Sequence, residues 1–403
     1  MEKTIVLLAT LDTKGIELGY FRERIIEQGH KVIVVDVGIL GTPLLKPDIT
    51  REEVAQAAGT KLEEIVSLGK RAEAMRLMTE GAVKIVHRLY QSGRLDGIAS
   101  LGGTTGTALA CAVMRSLPIG IPKVMVSTVA SADTRPYLDT KDIVMIPSVT
   151  DILGLNRITK RILATAAGAI AGMVGSDPGP IPSDKPIIGV TIHGNLMPCV
   201  YSAKAILEAK GYEVIGFPAA GIGGKTLEEW IEQGLIDGVF DLVTRELVDN
   251  IFGGLCDAGP SRLEAAGRKG IPQLVAPGDA DSISLNMTQE IPQRWKGRRL
   301  YWHNLVFGGV QANKDEMILV AKVMAEKLNK AIGPTAVIIP RRGFSYYGED
   351  WRRDPAADSA FVEVLKSSLK PEVAVVEVDA RVNDELFAQK AAILLDELMR
   401  RAG

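Results

Sequence analysis

Ile98-Ala-Ser-Leu-Gly-Gly-Thr-Thr-Gly-Thr-Ala-Leu-Ala110 carries an apolar strand straight through a Gly/Thr-rich turn into a helix-forming run. Gly102, Gly103 and Gly106 let the backbone turn tightly and approach a ligand with no Cβ in the way. Thr104, Thr105 and Thr107 set hydroxyls beside the unpaired N–H groups of the coming helix's first turn, where the helix dipole favours negative charge. This is the layout of an anion cradle. It lacks the Lys of G-x-x-x-x-G-K-[ST] and does not match G-x-G-x-x-G, so it specifies a phosphate or carboxylate without specifying a nucleotide. A turn built only for close packing of helix on strand would use the same glycines, and both readings stand at this level.

Outward from this stretch, short Val/Ile/Leu runs alternate with amphipathic helical segments, the mark of a parallel α/β sheet. Strands are predicted at Ile5 to Ala9, Lys31 to Asp36, Leu95 to Leu101, Lys123 to Ser127 and Ile143 to Ile146. The longest helical stretch, Lys61 to Gln91, is divisible at Gly69 and Gly81. Gly175 to Pro186 then holds four prolines and two glycines, which cannot pack as helix or central strand, and marks a domain boundary. The alternation restarts at Ile187 to Ile192 and continues through Glu213 to Phe217, Gly238 to Leu242, Gln273 to Ala276, Leu300 to His303, Ala336 to Ile339 and Val373 to Val378. The prediction is two doubly wound, Rossmann-like α/β domains, 1–178 and 186–403, facing a shared cleft.

With 403 residues the chain is long enough for two or three domains with well-buried cores. A formal net charge of −2 argues against a nucleic-acid surface, and no run of about 18 apolar residues suggests a membrane span. Cys111, Cys199 and Cys256 are odd in number and widely spaced, which fits neither a disulfide framework nor a zinc site and points to a reducing cytoplasm. Small residues along Asn156 to Val174, among them Ala164, Ala166, Ala167, Gly168, Ala171 and Gly172, permit close helix approach. With the family resemblance below, they lead to the expectation of a homodimer; an internal helix on its own sheet is the competing reading.

Ligands of doubly wound sheets sit outside the carboxyl ends of the strands, so the residues just after each apolar run are the candidates. After the first strand, Asp12 or Thr13 can cap a helix, Lys14 can meet a phosphate as a point charge, and Asp12 can hold a ribose hydroxyl or a metal-bound water. Gly38 follows the second strand as a close-approach glycine. After the fourth come Ser131, Asp133, Thr134 and Arg135, with Arg135 suited to a forked contact with an oxyanion and Asp133 to magnesium. In the second half, His193 and His303 fall at strand ends, as does Glu246, and all three are proton-transfer candidates. Asn195, Asp279 and Asn304 are substrate-binding candidates, and Gly223, Gly224 and Lys225 form a second potential anion cradle. The histidine spacing is not that of a helical metal pair.

Ala9 to Gly15, Leu101 to Thr107, Ala130 to Tyr137 with Thr140 to Asp142, and Gly253 to Gly267 together resemble the uncharacterised two-domain family related to the tomato mosaic virus resistance protein. The resemblance covers nearly the whole chain, with the blocks in the expected order. It implies ATP binding by the N-terminal domain, through the Asp-Thr-Lys turn, the Gly/Thr cradle and the Ala-Ser-Ala-Asp-Thr-Arg loop. The second domain departs from the family pattern. His193-Gly-Asn-Leu-Met-Pro-Cys199 stands where the family has Thr-Thr-Pro-Cys, Phe217-Pro-Ala-Ala replaces Phe-His-Ala-Thr, and His303-Asn-Leu305 replaces His-Asn-Pro.

Three functions follow as alternatives. The first is an enzyme that uses ATP, with Mg2+, on a small anionic metabolite at the cleft. The second is a nucleotide-gated binding or regulatory protein without turnover. The third is an ATP-independent enzyme of sugar-acid or keto-acid metabolism. The expected partners are a nucleotide and a small anion, with neither nucleic acid nor membrane.

Overall fold

The computed structural model describes residues 2–176, 184–345 and 353–402. Most of the Gly/Pro-rich boundary, residues 177–183, lies outside the described residues. The chain divides into two units, Met1–Ile181 and Pro182–Gly403.

Unit 1 is a parallel sheet of β1 (Thr4–Ala9), β2 (Lys31–Asp36), β3 (Gly97–Gly102), β4 (Lys123–Ser127) and β5 (Val144–Pro147), in the order β2-β1-β3-β4-β5. Side chains of a strand alternate between faces, and β1 is buried on both. Ile5, Leu7 and Ala9 join one core with Leu18, Phe21, Ala166 and Ile170, on the face covered by α1 (Leu11–Ile26) and α7 (Arg157–Gly175). Val6 and Leu8 join the other, under α2 (Arg51–Ala58), α4 (Arg71–Gln91) and α5 (Thr104–Arg115). The short α3 (Leu62–Ser67) precedes α4, and Gly69 at φ +62 makes the break that its sequence suggested. A four-residue α6 (Arg135–Leu138) completes the unit.

Hydrophobic periodicity predicts helices from Gly15, Thr107 and Ser202, and all three begin earlier in the structure. The Asp-Thr-Lys turn is the first turn of α1, and Thr104 to Thr107 is the first turn of α5. On α7, Ala166, Ala167 and Ala171 are buried against the unit's own sheet, whereas Gly168 and Gly172 face outward with open space around them. Three of the four alanines assigned to close helix approach are therefore core residues, and the fourth, Ala164, is half-buried.

Unit 2 contains β6 (Ile187–Ile192), β7 (Glu213–Pro218), β8 (Gly238–Val243), β9 (Gln273–Gly278), β10 (Ser282–Asn286), β11 (Leu300–Trp302), β12 (Phe307–Gln311), β13 (Thr335–Pro340) and β14 (Ala374–Val378). Its main sheet is parallel, in the order β14-β13-β9-β8-β6-β7. The strand read at Leu300 to His303 is not part of it. β11 instead joins an antiparallel sheet, β10-β12-β11, whose other members were not legible. Ser282, Ser284, Gly308 and Gly309 dilute their apolar pattern, and the glycines are required by contact: a Cβ on either would come within 2.4 Å of a carbonyl oxygen of the neighbouring strand.

The helices of unit 2 are α8 (Met197–Ala209), α9 (Ile222–Glu232), α10 (Arg245–Phe252), α11 (Ala265–Lys269), α12 (Lys314–Leu328), α13 (Pro355–Ser368) and α14 (Glu385–Ala402). Between α9, α10 and β8 lies Arg262, 1 % exposed. It donates to both oxygens of Asp241 at 2.6 Å, to Glu246 at 2.8 Å and to Glu228 at 3.3 Å. Removing the cation would leave buried carboxylates uncompensated, so Arg262→Met is expected to destabilise unit 2 by about 3–5 kcal/mol. Denaturant unfolding followed by proteolytic mapping measures this, and a midpoint equal to wild type would contradict the assignment.

Candidate functional site

In unit 1 the strand order reverses direction between β1 and β3, the place where doubly wound sheets bind ligands. A cavity of about 750 Å³ opens there. Thr10, Asp12, Thr13 and Lys14 line it from the start of α1, and Gly102 to Gly106 from the start of α5. The loop after β2 contributes Val37, Ile39 and Leu40, and α3 with the start of α4 contributes Ile65, Val66, Lys70, Arg71 and Met75.

Two helix N-termini thus face one cavity. The α5 N-cap is Gly103, and no side chain among the described residues caps this helix. The first-turn N–H groups of α5 are the kind of donor set that binds anions. At α1, one donor is already met: Leu11 N–H gives to Asp36 Oδ1 at 3.1 Å. Arg71 donates to Thr105 Oγ1 at 3.0 Å and so brings a guanidinium to the cradle. Sequence reading missed it. The available signal was Lys70-Arg71 immediately after the helix-dividing Gly69.

The other candidates of this unit separate into distinct places. Lys14 lines the cavity while its ammonium donates to the Ile152 carbonyl. Thr107 is buried and hydrogen-bonds Ser127 at 2.7 Å, tying α5 to β4 instead of facing the cavity. Gly38 packs on the buried Asp36–Arg51 ion pair, where a Cβ would lie 2.7 Å from Arg51 Nη2. Ser131 and Asp133 to Arg135 are not among the cavity's lining residues. Ser131 is exposed, Thr134 stands at the N-cap position of α6 without a side-chain cap bond, and Asp133 and Arg135 pair at 2.8 Å on the surface, which holds the Asp133 carboxyl below its ordinary value. Asp12 is accordingly the carboxylate that lines the cavity.

In unit 2 the second predicted cradle is filled from within. Glu246 Oε1 accepts from Gly221 N at 2.7 Å and Gly224 N at 3.0 Å, and its Oε2 from Arg262. A Cβ on Gly224 would lie 1.8 Å from Glu246 Oε2, and one on Gly223 would lie 1.9 Å from the Pro218 carbonyl oxygen. The cradle does hold an anion, but the anion belongs to the chain. Burial keeps the Glu246 carboxyl above its ordinary value despite these partners, and the residue is fully enclosed. Glu246 is therefore a structural carboxylate rather than a proton-transfer group facing a ligand. Lys225, half-buried, continues α9. Asn195 uses its carbonyl to accept from Asn383 at 2.7 Å, and Asn304 shapes the β11–β12 turn by accepting from Val306 and Phe307 N–H.

His193 and Asp279, by contrast, come together. His193 Nδ1 lies 2.6 Å from Asp279 Oδ2, and Arg245 Nη1 lies 2.9 Å from His193 Nε2. The same Arg245 Nη1 lies 3.4 Å from His193 Nδ1, so the guanidinium faces the imidazole ring instead of the lone pair of one nitrogen. The His303 ring stands 5.9 Å from that of His193. Burial opposes ionisation of Asp279, but the His193 contact and the Arg245 charge outweigh it and leave the carboxyl below its ordinary value. Arg245 is the residue that sequence reading passed over in favour of its neighbour. Successive helical residues point about 100° apart, so only one of Arg245 and Glu246 could face this cluster.

Among the described residues, no group of three or more His, Cys, Asp or Glu side chains is arranged to hold a metal. The three cysteines are buried and free, with burial pushing the thiols up to about 11, 12 and 11 for Cys111, Cys199 and Cys256. No described helix is long and apolar enough to cross a membrane.

Asp281, two residues after Asp279, is buried beside Ser345, whose hydroxyl donates to it. Burial, with the nearby Asp358 charge, raises its carboxyl from 3.8 to about 7. Folded protein then holds a proton that unfolded chain releases, so this group's contribution to stability falls as pH rises from about 4 to about 7. Asp281→Asn is expected to lessen the drop in thermal midpoint between pH 5 and pH 8 relative to wild type. An identical drop in both proteins would show that Asp281 does not carry it.

Comparison with known proteins adds the family. Residues 3–178 match the N-terminal domain, and residues 185–399 the C-terminal domain, of the Uncharacterised protein family (UPF0261). A UPF0261 protein of Clostridium tetani is 42% identical over 410 residues, covering 100% of both chains. One from Brucella melitensis is 34% identical over 400 residues, covering 97% of this chain and 94% of that one. The ToMV susceptible protein tm-1(GCR26) of Solanum lycopersicum is 36% identical over 308 residues, which are 74% of this chain and 41% of the tomato protein. Among solved structures, the UDP-N-acetylglucosamine 2-epimerase from Rickettsia bellii aligns over 100% of this chain and 98% of its own at 13% identity and a TM-score of 0.23, a likeness too slight to carry any argument about activity. With both of its domains matched in order along the chain, this protein belongs to the UPF0261 family.

Proposed function

We propose that the protein is an enzyme acting on a small anionic metabolite and that unit 1 binds ATP. One observation carries the nucleotide reading: the first turns of α1 and α5 both line a single cavity of about 750 Å³ at the β1/β3 switch point. That volume lies within the roughly 300–1,000 Å³ typical of small-molecule sites. Its surface is graded in polarity. Thr10, Thr13, Thr104 and Thr105 with the α5 N–H groups suit phosphate oxygens, and Arg71 adds a cation able to contact two oxygens. Ile39, Leu40, Val66 and Met75 provide an apolar wall suited to a base. Asp12 is the residue that would hold Mg2+ beside the phosphates, in place of the surface-paired Asp133. When bound, the nucleotide would supply a phosphoryl group or a conformational signal. This chain's own part is to orient the phosphates and offset their charge.

Gly103 supplies the sharpest test. Its φ of −80 and ψ of −167 suit any residue, and a Cβ there meets only Thr128 Oγ1, at 3.8 Å. Gly103→Val should therefore fold normally while placing a side chain in the cradle. Calorimetric titration with ATP is expected to show affinity reduced at least about tenfold, equivalent to roughly 1.4 kcal/mol. Affinity equal to wild type in the folded variant would remove the cradle from nucleotide binding. The enzymatic half is tested by incubating ATP and Mg2+ with a panel of small sugar acids and keto acids and measuring ADP. Tight ATP binding without acid-dependent ADP release would instead assign the nucleotide a regulatory role.

A further inference from the structure

The unit 1 cavity has two unlike parts. Hydroxyls and cations stand beside the first turns of α1 and α5, whereas Val37, Ile39 and Leu40 after β2, Ile65 and Val66 of α3 and Met75 of α4 form an apolar wall. A site that selects one base over another needs hydrogen-bonding groups aimed at the base's edge. The side chains of this wall carry none beyond the weak thioether acceptor of Met75.

The backbone of the wall is engaged as well. Val37 N–H gives to the Ala9 carbonyl at 3.0 Å, and Gly38 N–H to Asp36 Oδ1 at 2.8 Å. Arg51 Nη1 donates to the Leu40 and Gly41 carbonyls at 2.6 and 3.1 Å. In α3, the Ile65 carbonyl accepts from Leu68 N–H at 3.3 Å and the Val66 carbonyl from Gly69 N–H at 3.5 Å. Most of the polar groups that could read a base edge are therefore bonded within the chain. Lys70, at the entry to α4, lines the cavity, but its ammonium only donates, and every base offers it a ring nitrogen or a carbonyl oxygen.

The ribose meets the same situation. In dinucleotide-binding members of this fold class, a carboxylate near the end of the second strand holds ribose hydroxyls. Asp36 ends β2, yet it is fully buried, and its two oxygens accept from Leu11 N–H, Gly38 N–H and Arg51 Nε. On the outer side, Leu40 is 63 % and Val66 43 % exposed, so the wall lies open to solvent. A ring laid against it keeps its polar edge hydrated and loses no hydrogen bonds there.

We infer that the unit 1 cavity binds nucleoside triphosphates as a class, holding the phosphate chain and taking the base by the face and size of its ring, without distinguishing the groups on the base's edge or the ribose 2′-hydroxyl. This rests on the nucleotide reading of the cavity and widens it from ATP to a chemical class. Contact with aliphatic side chains is non-directional and grows with the area buried, so adenine and guanine are equivalent and both exceed the smaller pyrimidines. Selectivity lies instead with the phosphates. Arg71 Nη2 gives to Thr105 Oγ1 at 3.0 Å, which sets a guanidinium beside the first turn of α5 whichever base is bound.

Full-length protein with Mg2+ is titrated calorimetrically with ATP, GTP, dATP, CTP, UTP and AMP. ATP, GTP and dATP are expected to bind within about fivefold of one another, CTP and UTP more weakly than these but within about fivefold of each other, and AMP at least about tenfold more weakly than ATP. Arg71→Gln, at an exposed position, should fold normally and weaken ATP and GTP alike, by at least about fivefold. A wider gap between ATP and either GTP or dATP, pyrimidines that bind as tightly as purines, AMP within about tenfold of ATP, or an Arg71→Gln effect confined to one purine would each overturn the inference. If ATP alone binds, the nucleotide reading stands and the class reading falls. If none of the five triphosphates binds, the nucleotide reading itself fails and takes this inference with it.

Discussion

Every helix that starts at the carboxyl edge of a parallel sheet brings unpaired backbone N–H groups to that edge, and each buried one needs an acceptor. Much of this protein's local architecture can be understood as the answer to that requirement. In unit 2 the answer is internal. Glu228 accepts from the N–H groups of Leu263, Glu264 and Ala265, Glu246 from those of Gly221 and Gly224, and Asp249 from those of Cys256 and Ser284. Burying so many carboxylates is unfavourable without compensation, and Arg262 with its fan of acidic partners supplies it.

The same requirement explains the glycines. Gly224 and Gly254 stand where a Cβ would lie 1.8 Å from Glu246 and 2.0 Å from Asp249, so the carboxylates reach the backbone only because those side chains are missing. The Gly253 to Gly267 block, one of the family's sequence marks, is in this light the set of close approaches that lets Asp249 and Arg262 be buried. In unit 1 the edge is answered only in part. Asp36 serves Leu11 and Gly38, whereas α5 begins at a bare Gly103 beside an open cavity. Two turns of similar composition, Gly102 to Gly106 and Gly221 to Gly224, thus take opposite roles. What separates them is whether a carboxylate of the chain already sits in the cradle.

The alternation of apolar runs and amphipathic helices was sufficient to give the two parallel sheets, because a strand buried on both faces is predominantly apolar, as β1, β3 and β4 are apart from Thr4, Ser100, Lys123 and Ser127. It was insufficient for β10 and β12, whose serines and glycines answer to crossing partners distant in sequence. It also placed helix starts late. Asp12, Thr104 and Pro198 are poor interior helix formers but suit a first turn, where their backbone N–H groups need no partner within the helix.

What the sequence determined by itself was therefore periodicity and local chemistry: which segments are strands, where the chain changes unit, and that Gly/Thr turns at strand ends can present N–H groups to an anion. Those properties depend on residues within a few positions of one another. Only the tertiary structure decided which turn stays open, because Glu246 fills the Gly221 to Gly224 turn from 22 residues beyond Gly224. It likewise decided that Arg245, and not Glu246, meets His193 and Asp279, which come from strand ends 86 residues apart. Such partners are set by sheet order and by the direction each helix's first turn faces. No local pattern encodes either.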